Sequence, residues 1–140
     1  MDAMFVPYIN QSDKSYESNT GRAITGTYAA NAVPTAGANI TKYGIASGLQ
    51  SGKVSSTSAA INVGGVGFSD QVQMNITQKP GDSGGPVVFN HIGPVPDGKT
   101  NPSTLIGIAT FTVDGSWNVA WASKAANINS AFGLSTHIKP

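Results

Sequence analysis

The chain is cut every few residues by Gly, Pro, Asn or Asp, and the runs between the cuts are short and apolar or alternating. That punctuation leaves little room for long helices and calls for strands joined by tight turns. Six strand candidates follow: Asn39–Gly44, Gly52–Val63, Gln71–Thr77, Gly85–Phe89, Thr104–Thr112 and Trp117–Ala122. Ahead of them, "AMFVPYI" (3–9) is a short apolar run and "NQSDKSYESNTG" (10–21) a polar loop. "RAITGTYAA" (22–30) reads as a strand interrupted by Gly26, and 31–39 as a turn region. Near the end, "SKAANINSAFGL" (123–134) sets Ala126, Ile128, Ala131, Phe132 and Leu134 at helical spacing, with Ser123 as its cap and Gly133 as its stop. The predicted fold is all-β: a six-stranded antiparallel Greek-key barrel, which removes exposed edges, followed by one C-terminal helix. Residues 1–37 are predicted as an N-terminal arm and linker, and 38–140 as the barrel with its helix.

Composition narrows the partners. The 140 residues fit one domain. Charged residues make up only 11%, against about 25% in a typical globular chain, so the surface is built from Ser, Thr, Asn and Gly. A net charge of +1 without a basic block argues against nucleic acid or an anionic membrane as partner. With no Cys there is neither a disulfide framework nor thiolate chemistry. No apolar stretch approaches the ~18 residues of a spanning helix. The opening "MDAMFVPYIN" lacks the basic start and long apolar core of a signal peptide. No cofactor is expected.

One stretch carries chemistry: "QKPGDSGGPVVFN" (78–90). Acyl transfer through a serine needs an exposed hydroxyl and, beside it, backbone N–H groups aimed at a forming oxyanion. Gly81 permits the backbone that turns its N–H inward, so the amides of Gly81 and Ser83 can converge. Gly84 and Gly85 keep side-chain bulk away, and Pro86 stiffens the exit into a strand. Asp82, drawn inward, needs a cationic partner. The competing reading is a Gly-rich hairpin with a surface serine.

The sequence resembles the C-terminal half of a chymotrypsin-like (trypsin-fold) serine protease of the bacterial branch. "PGDSGGPV" (80–87) matches the nucleophile motif of that family at every position. "ITKYGIASGLQSGKV" (40–54) resembles its basic residue, Gly and Gly-containing turn into a long strand. "LIGIATF" (105–111) resembles the substrate-flanking strand, and "NVAWASKAANI" (118–128) the last strand and terminal helix. The resemblance implies Ser83 as nucleophile and the Gly81 amide in the oxyanion hole. It also implies a buried Lys42–Asp82 ion pair, because a basic residue stands at the Lys42 position in the bacterial branch.

The resemblance leaves the catalytic triad incomplete. The family needs a His base and an Asp to orient it, both from a first barrel. The two His do not fit. His91 lies past a strand that carries it roughly 15 Å or more from the hydroxyl, and His137 follows the helix. Both read as surface residues. Asp2, in "DAMFV", resembles the orienting Asp; the alternative is a solvated N-terminal Asp. On that reading the first barrel and its His lie outside the chain, and without a base the hydroxyl is barely nucleophilic.

Three functions stay open: a serine endopeptidase fragment inactive or nearly so alone, a non-catalytic peptide-binding module of protease-like fold, and a structural all-β protein. The expected partners are a peptide or protein substrate, a complementing N-terminal barrel and a second copy exchanging the arm 3–9 to give a homodimer. An added peptide strand is expected along the edge near Thr110–Thr112. By the same resemblance Thr77 sits at the base of the primary pocket, Thr112 and Val119 on its walls, and Thr110 beside it. None is acidic, and no His stands at Ala109 or Thr110, so small or medium apolar side chains are expected there.

Overall fold

A computed structural model of the chain describes residues 24–90, 103–113 and 115–133. Asp2, the arm 3–9, the loop 10–21, His91 and His137 lie outside the described residues. Among the described residues there are seven strands and one helix: β1 (Ile24–Thr27), β2 (Asn39–Gly44), β3 (Gly48–Val63), β4 (Val66–Asn75), β5 (Pro86–Asn90), β6 (Ser103–Thr112), β7 (Val119–Lys124) and α1 (Ala125–Ala131).

Six strands close on themselves. The order runs β6-β5-β2-β3-β4-β7, and β7 pairs back onto β6. Each of these pairings is antiparallel. The alternation that predicted strands also fills the ring. On β4, Val72 and Met74 point inward, and Ile76 continues that face beyond the strand; Ile40, Val54, Val87, Ile106, Ala109, Ala120 and Ala122 meet them.

Three strands differ from the sequence reading, each for a local reason. β1, the strand expected within 22–30, joins the sheet as a seventh member outside the six-stranded ring, parallel to the start of β6, with Ile24 opposite Ser103 and Thr27 opposite Leu105. The register slips between Ile24 and Gly26, where the sequence suggested an interruption. β3 begins earlier than expected, at Gly48, because its first residues pair with β2 from Gly44↔Gly48 to Asn39↔Lys53. β4 begins earlier too, at Val66, because its start pairs with the end of β3 as an outer hairpin. Phe68 of that hairpin packs on Phe111, which stacks on Trp121 at 5.4 Å.

The helix start is a correction. Ser123 does not cap it: Ser123 and Lys124 are the last residues of β7, both buried. The Ser123 hydroxyl lies 3.1 Å from Gln71 Oε1, and the Lys124 ammonium donates to the Ala30 carbonyl at 2.7 Å. These buried bonds hold the chain extended through Lys124, so α1 starts at Ala125 with no side-chain cap. Its stop is as expected: Gly133 follows with a φ of +64°.

Candidate functional site

The Ser83 loop leaves β4 at Asn75 and enters β5 at Pro86. Lys79–Pro80–Gly81–Asp82 is a type II turn. The Asp82 N–H donates to the Lys79 carbonyl at 3.0 Å, and Gly81 sits at a φ of +99°. Pro before Gly is the sequence such a turn demands, because only Gly takes that φ without strain. Among the described residues nothing accepts a hydrogen bond from the Gly81 or Ser83 amide. Ser83 is exposed. Exposed hydroxyl and unengaged amides thus share one turn.

The turn is anchored from below. Asp82 is 1% exposed and Lys42 0%, and the Lys42 ammonium meets Asp82 Oδ2 at 2.7 Å. Lys42 faces inward on β2 just as Ile40 does, two residues earlier, so the strand itself delivers the ammonium to the barrel end. The carboxylate receives four further hydrogen bonds. Oδ2 accepts from the Lys79 amide at 2.9 Å and the Ser47 hydroxyl at 2.5 Å. Oδ1 accepts from the Ala46 and Ser47 amides, both at 2.9 Å. Burial alone would push the Asp82 pKa up. Bonds from Lys42, Ser47 and the Lys79 and Ser47 amides outweigh it and hold the carboxyl well below the usual carboxylate range. The carboxylate therefore stays ionised, and the pair ties the β2–β3 turn to the Ser83 turn.

The sequence reading gave Gly85 the wrong reason. It does not clear the cleft. A Cβ there would lie 2.0 Å from the Tyr43 carbonyl, so Gly85 lets the loop press against β2.

The Ser83 hydroxyl donates to the Thr110 carbonyl at 2.7 Å. Thr110 sits where the β6–β7 register slips, between Ala109↔Ala122 and Phe111↔Trp121. Its own side chain is buried and donates to the Trp121 carbonyl at 3.0 Å. Of the four residues expected to bind substrate, Thr110 therefore presents only backbone. The other three come together. The Thr77 hydroxyl lies 3.3 Å from Asn118 Oδ1, beside Val119, and the Thr112 hydroxyl, with one proton to give, lies within hydrogen-bond reach of the Val119 and Ser116 carbonyls. Among the described residues no cluster of His, Cys, Asp or Glu could hold a metal ion. The sequence reading passed over Gln78, which is 1% exposed and lies between Thr77 and the turn. Its signal was period: it continues the inward series Val72, Met74, Ile76.

No family model matches the chain, and no curated protein matches it. Solved structures do. Thermobifida fusca Protease A is 17% identical with a TM-score of 0.66, covering 92% of this chain and 62% of its own. Nocardiopsis Protease is 12% identical at a TM-score of 0.63, covering 89% and 60%. Cellulomonas bogoriensis chymotrypsin is 14% identical at 0.60, covering 83% and 56%. This chain thus spans little more than half the length of these proteases. Its closed ring of strands and terminal helix are the fold of the C-terminal half of bacterial chymotrypsin-like serine proteases.

Proposed function

We propose that this chain is the nucleophile-bearing half of a chymotrypsin-like serine endopeptidase. Ser83 is the nucleophile, and the Gly81 and Ser83 amides form the oxyanion hole. The observation that carries the reading is the type II turn at Pro80–Gly81, held by the buried Lys42–Asp82 pair and leaving both amides without partners among the described residues. A peptide carbonyl carbon within reach of Ser83 Oγ would place its oxygen near those amides, the geometry that stabilises a tetrahedral intermediate. An extended peptide would lie along the edge of β6 at Thr110–Thr112. Thr77, Thr112 and Val119 would receive an uncharged side chain, since none of them offers a counter-charge.

The hydroxyl needs a base. Among the described residues Ser83 meets none, and its proton points at a carbonyl instead. The base would come from a complementing first barrel, and its orienting carboxylate from that barrel or from Asp2 of this chain. Alone, the chain is expected to react slowly at best.

A fluorophosphonate probe tests this directly. Purified chain should label weakly or not at all. Chain co-expressed with a first barrel should label at one site, and Ser83→Ala should abolish it. A stable complex of the two barrels that stays unlabelled would overturn the reading. It would favour the non-catalytic peptide-binding alternative, which the Ser83–Thr110 contact supports.

A further inference from the structure

Away from the Ser83 turn, two backbone irregularities meet. The pairing of β3 with β4 shifts between Ser56 and Ala59, and Asp70 of β4 takes a φ of +52°. Departures of this kind from regular strands collect at functional sites. Here they bring the Ser58 hydroxyl to Asp70 Oδ1, 2.8 Å away. Thr57, Ser58, Asp70 and Lys124, with Thr35 of the connector after β1, line a groove of about 370 Å³. Small-molecule sites occupy about 300–1,000 Å³, so the size fits. From Asp70 to Asn75, β4 runs roughly 17 Å toward the Ser83 turn, so groove and turn are separate.

The groove holds an ion pair with bonding capacity to spare. Lys124 is 3% exposed, and its ammonium has three N–H bonds to give. The Ala30 carbonyl and Asp70 Oδ1 take two of them. The third has no acceptor among the described residues. Asp70 Oδ2 accepts from Asn127 at 2.8 Å and from no other described residue, which leaves it a lone pair. Burial alone would raise the Asp70 pKa. Bonds from Lys124, Asn127 and Ser58 outweigh it and hold the carboxyl below its ordinary value, so the groove faces a carboxylate. The Thr35 and Thr57 hydroxyls also have no partner among the described residues. A buried donor left open asks for an occupant.

We propose that this groove binds one residue of a neutral glycan, with adjacent sugar hydroxyls bridging Lys124 Nζ and Asp70 Oδ2. The chemistry of the pair selects the class. An anion would face the Asp70 carboxylate and a cation the Lys124 ammonium, so a ligand of either sign is repelled by one partner. An apolar ligand would leave the Lys124 donor unmet. A hydroxyl both accepts and donates. One sugar hydroxyl takes the third Lys124 proton, its neighbour donates to Asp70 Oδ2, and Thr35 and Thr57 meet others along the ring. A pyranose carries its hydroxyls at fixed spacing, so little order is lost on binding.

The test uses the full chain. Cellotriose, maltotriose and chitotriose are each titrated while the Ser58, Asp70 and Lys124 amide resonances are followed by NMR. At least one trisaccharide should shift all three saturably and leave the Gly81 and Ser83 amides unmoved. Asp70→Asn should weaken that binding about tenfold, the loss of a hydrogen bond to a charged group. Thr57→Val, on the groove wall, should weaken it about threefold, the loss of a neutral one. No saturable shift with any of the three sugars would overturn the proposal, and so would an affinity unchanged in both variants. Inorganic phosphate or the peptide Gly-Ser-Gly binding the groove more tightly than every trisaccharide would overturn it too, in favour of an anion or a peptide.

Discussion

One lysine–aspartate pair lies at the Ser83 turn beyond β4 and another at Asp70, midway along β4, and they are built differently. At the Ser83 turn both Lys42 and Asp82 side chains are fully buried. At mid-strand Lys124 is 3% exposed but its partner Asp70 is 38% exposed, with 2.5 Å between the charged atoms. Asp70 also takes a φ of +52°, a conformation Asp tolerates better than most residues. It accepts from Ser58 and Asn127 as well, each at 2.8 Å, and lines a groove of about 370 Å³ with Ala30, Val33, Thr35 and Lys124. The first pair is sealed in protein and the second opens to solvent. Desolvation makes the first costly to break, while water and salt cushion the second. An ion pair's role is thus set by how many donors and how little water surround its carboxylate.

The largest expected effect comes from halving the sealed pair. Asp82→Asn leaves the Lys42 ammonium buried without a counter-charge and should cost about 3–5 kcal/mol. Urea unfolding measures it, and a loss below about 1 kcal/mol would erase the contrast with Asp70.

Acid attacks the same pair. Asp82 is depressed below its ordinary value of 3.8 in the folded chain. A depressed group stabilises the fold fully above its unfolded pKa, and that contribution is lost as pH falls through the folded pKa. Unfolding midpoints should therefore drop below about pH 4, and the drop should be shallower in Asp82→Asn. Parallel acid limbs in the two proteins would show that other carboxylates dominate.

Crowding the sealed pair should cost less. A Cβ on Gly44 would lie 2.2 Å from Asp82 Oδ1, a carboxylate held by five donors. Gly44→Ala should cost about 1–3 kcal/mol, as overpacking does. A neutral result would mean that the turn gives way without loss.

The smallest effect belongs to the open pair. Asp70→Asn keeps a side chain that tolerates positive φ and should cost about 1 kcal/mol at low salt. The difference should shrink in high salt, whereas that of Asp82→Asn should hold. Equal salt dependence in the two variants would collapse the comparison.

These two regions also differ in how far they could be read from the sequence. The Lys42–Asp82 pair was legible because the Gly-rich turn draws an acid inward that needs a cation, and the resemblance sets a basic residue at Lys42. The six ring strands were legible through short alternating runs. Asp70 and Lys124 were not. Nothing local marks a strand that runs through Ser123 and Lys124, since their extended state depends on partners in β4 and in the connector after β1. Gln78 was hidden because a polar residue at an inward position looks like a loop residue until its burial is known. The parallel pairing of β1 with β6 was hidden too, because a short strand's partner is decided by the finished barrel.

The closed ring has a consequence for the time the chain needs to find its shape. The bonds that seal it are distant in sequence: Lys42 and Asp82 are 40 residues apart, Gln71 and Ser123 52, and Lys124 and Ala30 94. Loop entropy must be lost before any of these contacts can reward it, so β topologies of this kind fold on the order of milliseconds to seconds. Until β6 meets β7 the sheet has two unpaired margins, and the nascent chain is then most exposed to joining a neighbour's strand instead of its own.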